Sequence, residues 1–149
     1  MSFMTEICFV DTNILVYFRD ASEPEKQRLA ASWLAHLWRQ RLGRLSFQVL
    51  NEYYVAVTQR LTPGLDCDSA RSDVRNLMKW QPVSVDQVVI EGAWAVQDRY
   101  HLSWWDALIV SAAQKARCAY LLSEDLRDGQ RMDGVEVVNP FVRSPEGIS

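Results

Sequence analysis

Short apolar runs alternate with stretches of helical periodicity along this chain. The first run, Ile7-Cys8-Phe9-Val10, has the pattern of a buried strand and stops at Asp11-Thr12-Asn13. A second, Ile14-Leu15-Val16-Tyr17, follows as a short helix. Ser22-Glu23-Pro24-Glu25 reads as a capping box with proline in the first turn. The helix it opens sets Leu29, Trp33 and Leu37 beside Ala30, Leu34 and Trp38, and it ends near Gly43. Arg44-Leu45-Ser46-Phe47 predicts a second strand; Val49, Tyr53, Ala56 and Val57 predict a helix that Thr62-Pro63-Gly64 breaks. Ala70, Val74, Leu77 and Met78 mark a further amphipathic helix, and Pro82-Val83-Ser84-Val85 a third strand. Asp86 is the expected N-cap of a helix with Val89, Ala93, Val96 and Tyr100 on one face.

The helix from Ser103 differs from the others. Ala107, Leu108, Ile109, Val110, Ala112 and Ala113 make it apolar nearly all round, so it is expected to be buried on several sides. Ala119-Tyr120-Leu121-Leu122 is a fourth strand ending in Ser123-Glu124-Asp125, and Val135-Glu136-Val137-Val138 a fifth. Strands alternating with helices imply a parallel sheet with helices on both faces. The expected architecture is therefore a three-layer α/β/α sandwich of about five strands, one domain over residues 1–142, with a loose polar tail over 143–149.

Composition narrows the class without choosing a function. At 149 residues, 48% hydrophobic and 23% charged, the chain is an ordinary globular domain with enough length for a core. Residues 1–6 lack the basic and apolar regions of a secretory signal, and the longest apolar run is too short to span a bilayer. Three cysteines without CxxC spacing suggest neither a disulfide framework nor a zinc site, with Cys8 and Cys118 read as core residues. A cytoplasmic protein fits these features. A net charge of -3 argues against nucleic-acid binding through an overall basic field. The cluster Arg39, Arg41 and Arg44 reads either as a solvated face or as a phosphate contact.

Candidate chemistry lies in four acids beside strand ends or helix starts: Asp11, Glu52, Asp106 and Asp125. Singly, each has a structural explanation. Asp11 suits an N-cap, Glu52 a solvent-facing helical position, Asp106 the acid of a capping box opened by Ser103, and Asp125 the start of a turn. Collectively they point elsewhere. In a doubly wound sheet these positions converge on one edge, and two carboxylates about 4 Å apart repel by about 4 kcal/mol at an effective dielectric of 20. A hard cation, Mg²⁺ or Mn²⁺, removes that repulsion. His36 and His101 fall where structural or exposed histidines are expected. The chemistry natural to an acidic Mg²⁺ pocket is phosphodiester hydrolysis, which needs no histidine base.

Val10-Asp11-Thr12-Asn13-Ile14-Leu15, Glu52, Trp105-Asp106-Ala107-Leu108-Ile109 and Leu122-Ser123-Glu124-Asp125 resemble the four motifs of PIN-domain nucleases, most closely the VapC toxins of toxin–antitoxin pairs. The resemblance runs from about Ile7 to Phe141. It implies a Mg²⁺- or Mn²⁺-dependent endoribonuclease toxin that cuts single-stranded or loop RNA as a homodimer and is blocked by a cognate VapB-type antitoxin. It also implies that Asp11, Glu52 and Asp106 are the core acids around the metal, with Asp11 and Asp106 as direct ligands. Asp125 is implied as the fourth acid, with Glu124 in reserve, and Asn13 and Ser123 as residues that orient carboxylates or water. Rival readings are a PIN nuclease of RNA processing without an antitoxin and a non-catalytic PIN-like binding module. A phosphatase of the aspartyl-phosphate kind is disfavoured, because position 13 is Asn and Lys26, Lys79 and Lys115 read as helical surface residues. Trp104 and Trp105 read as core or dimer-interface residues, or as stacking platforms for RNA bases.

Overall fold

The computed structural model describes residues 6–147. Residues 1–5, part of the segment read as lacking a secretory signal, and the last two residues of the expected tail lie outside the described residues. Strands β1 (Cys8–Val10), β2 (Gly43–Arg44), β3 (Tyr120–Leu122), β4 (Arg131–Met132) and β5 (Val135–Val138) form one sheet in the order β2-β1-β3-β5-β4. All neighbours pair parallel except β4 with β5. Helices α1 (Thr12–Arg19), α2 (Pro24–Gln40), α3 (Phe47–Val55) and α4 (Cys67–Leu77) pack in one set, α5 (Gln87–Tyr100) and α6 (Trp104–Lys115) in another. This is the expected α/β sandwich. No helix among the described residues is long and apolar enough to cross a membrane.

The central strands β1 and β3 are short and lie inside the sheet, which explains their unbroken apolar runs. Cys8, Phe9, Val10, Leu121, Leu122, Val137 and Val138 are all buried, as parallel strands covered on both faces require. In α6, every residue from Ala107 to Ala113 is buried, as its all-round apolar pattern predicts. Cys118 is buried with Cys8 in the same core.

Five strands are present, but they are not the five that the pattern predicts. The second is Gly43–Arg44 rather than 44–47, because the Ser46 side chain accepts from the Val49 amide (3.2 Å) and turns the chain into α3. Residues 82–85 make a single parallel bridge, Ser46 to Val83, instead of a strand. Pro82 brings no amide hydrogen, and Asp86 already caps α5 through the Val89 amide. The unforeseen strand is β4, joined to β5 by Asp133-Gly134 with φ of 49° and 94°. That dipeptide is the usual signal of a two-residue hairpin turn. The capping box at Ser22 also fails: the Ser22 hydroxyl bonds Asp20 instead, and the cap position Glu23 makes no side-chain bond.

The expected loose tail is anchored as far as it is described. Arg143 bonds Asp128, Glu136 and the Val137 carbonyl, and the Trp33 indole donates to the carbonyls of Pro140 and Arg143. Pro145 is buried within a final 3-10 turn.

Strand β2 leads into α3 and so fixes where Glu52 stands. Its Gly43 is held against the Trp80 ring so closely that a Cβ there would lie 2.7 Å from two ring atoms. Gly43→Ala is therefore expected to lower the unfolding free energy by about 1–3 kcal/mol, seen as an earlier denaturant midpoint with unchanged cooperativity. An unchanged midpoint would contradict this packing.

Candidate active site

The sheet order places β1 between β2 and β3, so the chain departs from β1 to one side and later returns on the other. Ligand clefts form outside the carboxyl ends of strands at such a switch point. Asp11 follows β1 directly and caps α1, accepting from the Thr12 amide at 2.7 Å through Oδ1. Its Oδ2 accepts from the Ser123 hydroxyl at 2.9 Å, and Ser123, wholly buried, follows β3. Glu52 projects from the second turn of α3 and accepts from the Thr12 hydroxyl at 3.0 Å. Asp106 sits in the first turn of α6, its amide capped by the Ser103 hydroxyl at 3.3 Å. Asp125 accepts from the Asn13 side-chain amide at 2.9 Å, and its own amide donates to the Ser123 hydroxyl.

All four acids, with Asn13, line one cleft of about 700 Å³. Ser123 lies beneath it as a hub between Asp11 and Asp125. Thr12, which the sequence did not single out, does the same for Glu52. A hydroxyl one residue after the strand-end acid is the only signal that pointed to it.

Glu124 and Asp125 part company. Glu124 accepts from the Tyr17 hydroxyl and from the Lys26 ammonium, which lies 4.8 Å from the Tyr17 ring centre and 5.3 Å from that of Phe141. Lys26, read from sequence as an ordinary surface lysine, thus neutralises Glu124 at the cleft margin. Asp125 has no cationic partner among the described ion pairs. Trp104 is half-buried against the core, whereas Trp105 is 62% exposed and lines the cleft, contrary to a core placement. His36 is buried with an unpartnered Nε2, His101 caps α5, and neither lines the cleft. Arg39, Arg41 and Arg44 lie outside it as well.

Electrostatics single out Asp11. Burial raises its pKa from 3.8 to about 7 despite the lowering hydrogen bonds from Ser123 and Thr12, with Asp106 and Asp125 pushing the same way as burial. Asp106 is raised too, chiefly by burial and then by Asp125. The cleft therefore holds carboxyl groups that resist ionising together.

An all-oxygen donor set of this kind suits Mg²⁺ or Mn²⁺. Asn13 Oδ1 adds a buried oxygen with no hydrogen-bond partner. Among the described residues, no three Asp, Glu, His or Cys side chains are already drawn together as a metal cage. That is compatible with an ion that keeps several waters and takes one or two carboxylates directly.

The chain belongs to the PIN domain family, whose model matches residues 8–134. It is similar in fold to a toxin–antitoxin complex from Klebsiella pneumoniae (TM-score 0.56, 22% identity, 89% of this chain and 97% of that one). It is also similar to VapC20 of Mycobacterium tuberculosis, a toxin that cleaves the sarcin–ricin loop (TM-score 0.51, 19% identity, 76% of this chain and 86% of that one). Comparison with curated proteins gives no match.

Because folded Asp11 keeps its proton up to about pH 7 while an ordinary aspartate releases it near 3.8, the folded state binds more protons across that window. Without metal, Asp11 thus makes stability fall as pH rises through the window; its penalty is absent below 3.8 and complete above about 7. Asp11→Asn removes the penalty, so in EDTA the variant is expected to be the more stable protein at alkaline pH, with the two converging in acid. Parallel stability–pH curves would show that Asp11 ionises freely.

Proposed function

We propose that the protein is a metal-dependent endoribonuclease, the toxin of a VapBC-type toxin–antitoxin pair. The observation that carries this reading is the convergence of four carboxylates from β1, α3, α6 and the β3 end on one cleft, with the most buried of them held protonated to near neutrality. Membership of the PIN family supports a nuclease, and the fold likeness to a toxin–antitoxin complex and to the toxin VapC20 supports the toxin assignment.

Asp11 and Asp106 are assigned as direct ligands of Mg²⁺ or Mn²⁺, with Glu52 and Asp125 binding directly or through water. When bound, the ion supplies an activated water and charge stabilisation at the phosphodiester. The chain's own contribution is orientation. Ser123 and the Thr12 amide aim the two oxygens of Asp11, the Thr12 hydroxyl holds Glu52, and Asn13 holds Asp125. Glu124 is assigned to the cleft margin rather than the metal, because Lys26 and Tyr17 occupy both of its oxygens.

The same reading assigns the protein a cognate VapB-type antitoxin that occupies the cleft, a homodimeric state and a cytoplasmic site of action. An antitoxin partner is supported by the toxin–antitoxin complex among its structural neighbours.

Labelled single-stranded and stem–loop RNAs incubated with Mg²⁺, Mn²⁺ or EDTA test the activity. Cleavage is expected with either metal and not with EDTA, and Asp11→Asn is expected to abolish it. Ser123→Ala, which removes only an orienting hydroxyl, is expected to lose about 10- to 100-fold. Cleavage that persists in EDTA, or in Asp11→Asn, would refute the assignment.

A further inference from the structure

The cleft is a poor place to attract a polyanion. Six acids line it, Asp11, Asp20, Glu52, Asp106, Glu124 and Asp125, against one lining cation, Arg60, with Lys26 compensating Glu124 alone at the margin. The overall charge of -3 offers no compensating field. An RNA strand that reaches these acids therefore needs local cations next to the cleft.

A second groove, of about 310 Å³, adjoins the first along α3 and α4. Asn51 lines both, so the two adjoin at that residue. Its cations are Arg71 and Arg75 on α4, both exposed, and no carboxylate lines it. Neither arginine takes part in an ion pair among the described residues, whereas Arg19, Lys26, Arg28, Arg99, Lys115, Arg131 and Arg143 all do. Arg71 donates to the Tyr54 hydroxyl at 3.2 Å, which holds its guanidinium over the groove wall. Arg71 and Arg75 stand four residues apart on α4 and so share one helical face. On the α3 side of the groove stands Phe47, the first residue of that helix and 41% exposed.

From this adjacency and charge we infer that the α3–α4 groove is a track for the single-stranded RNA whose scissile phosphate sits in the acidic cleft. Arg71 and Arg75 contact its backbone phosphates, and Phe47 stacks on a base. This rests on the ribonuclease reading and names where that substrate runs. Cations tracking a backbone beside an aromatic face are the pattern of sequence-tolerant single-strand binding. It also separates two tasks that conflict in one site: the cleft repels the polyanion until a cation is bound, while the neighbouring groove attracts it.

The test is anisotropy of fluorescein-labelled oligouridylate and oligoadenylate with the full-length protein in EDTA, across a salt series. Arg71→Ala/Arg75→Ala is expected to weaken binding of both at least tenfold at low salt. The log–log salt slope is expected to flatten by about 1.4, at roughly 0.7 for each single-strand phosphate left unneutralised. Phe47→Ala is expected to cost about tenfold with an unchanged slope, since stacking carries no counterion. The control, Arg99→Ala/Arg117→Ala, removes equal charge away from the groove and is expected to leave the slope as it was. In metal-dependent cleavage, Arg71→Ala/Arg75→Ala raises KM and keeps kcat.

A salt slope and affinity equal to the parent's in Arg71→Ala/Arg75→Ala would overturn the inference, as would absence of oligonucleotide binding by the parent. Sedimentation supplies the other contradicting result: a dimer that the same substitutions dissociate, with RNA affinity kept, would give this surface to a second copy of the chain. The two claims fail separately. Lack of metal-dependent cleavage by the parent sinks the nuclease reading, whereas cleavage with an unaltered slope sinks the track alone.

Discussion

A carboxyl group buried where two parallel strands end organises this molecule. Asp11 sits where β1 hands over to α1, and its two oxygens are met by an amide and a hydroxyl rather than by a cation. Neutral donors orient a carboxylate but do not cancel its charge, so burial wins and the proton stays on to near neutrality. The remaining site follows from that one unresolved charge. The charges that act on it, Asp106 and Asp125, push the same way as burial. A fold concerned only with stability would place a lysine here. The lysine that is available, Lys26, is instead committed to Glu124 at the cleft margin.

The fold tolerates this because the strain is confined to one end of the sheet. Beneath Asp11 and Ser123 the strands are wholly apolar, and α6 is buried along seven consecutive residues from Ala107 to Ala113. Asp106 stands one residue outside that buried run, close enough to share the low-dielectric surroundings and still face the cleft. Neutral groups do the positioning. The Thr12 hydroxyl donates to Glu52, the Thr12 amide and the Ser123 hydroxyl to Asp11, and the Asn13 side-chain amide to Asp125. The Ser123 and Ser103 hydroxyls accept from the backbone amides of Asp125 and Asp106. Small neutral donors hold carboxylates in place without cancelling their charge, which leaves that charge free for a metal ion on the proposed reading.

Much of this was legible in the chain. Parallel strands buried on both faces write themselves as apolar runs, which is why β1, β3 and β5 stood out, with Asp11 just beyond β1 and Asp125 beyond β3. The edges were less legible. Residues 82–85 have strand composition, but Pro82 and the cap at Asp86 leave room for only one bridge. Asp133-Gly134 carried a clear hairpin signal, yet β4 is two residues long and only half apolar, so periodicity missed it. The site residues that escaped notice, Thr12, Tyr17 and Lys26, act through contacts across 40, 107 and 98 positions of sequence. No local pattern encodes such pairings. The choice between Glu124 and Asp125 was open for the same reason, since what distinguishes them is a lysine on α2.

If a divalent cation is what the buried Asp11 awaits, binding must displace its proton. Calorimetric titration of metal-free protein with Mn²⁺, in buffers of differing ionisation enthalpy, counts the protons released. Release of close to one proton is expected at about pH 6 and almost none at about pH 8, with binding lost in Asp11→Asn. Absence of Mn²⁺ binding, or binding with no pH-dependent proton release and equal strength in Asp11→Asn, would contradict this role for Asp11.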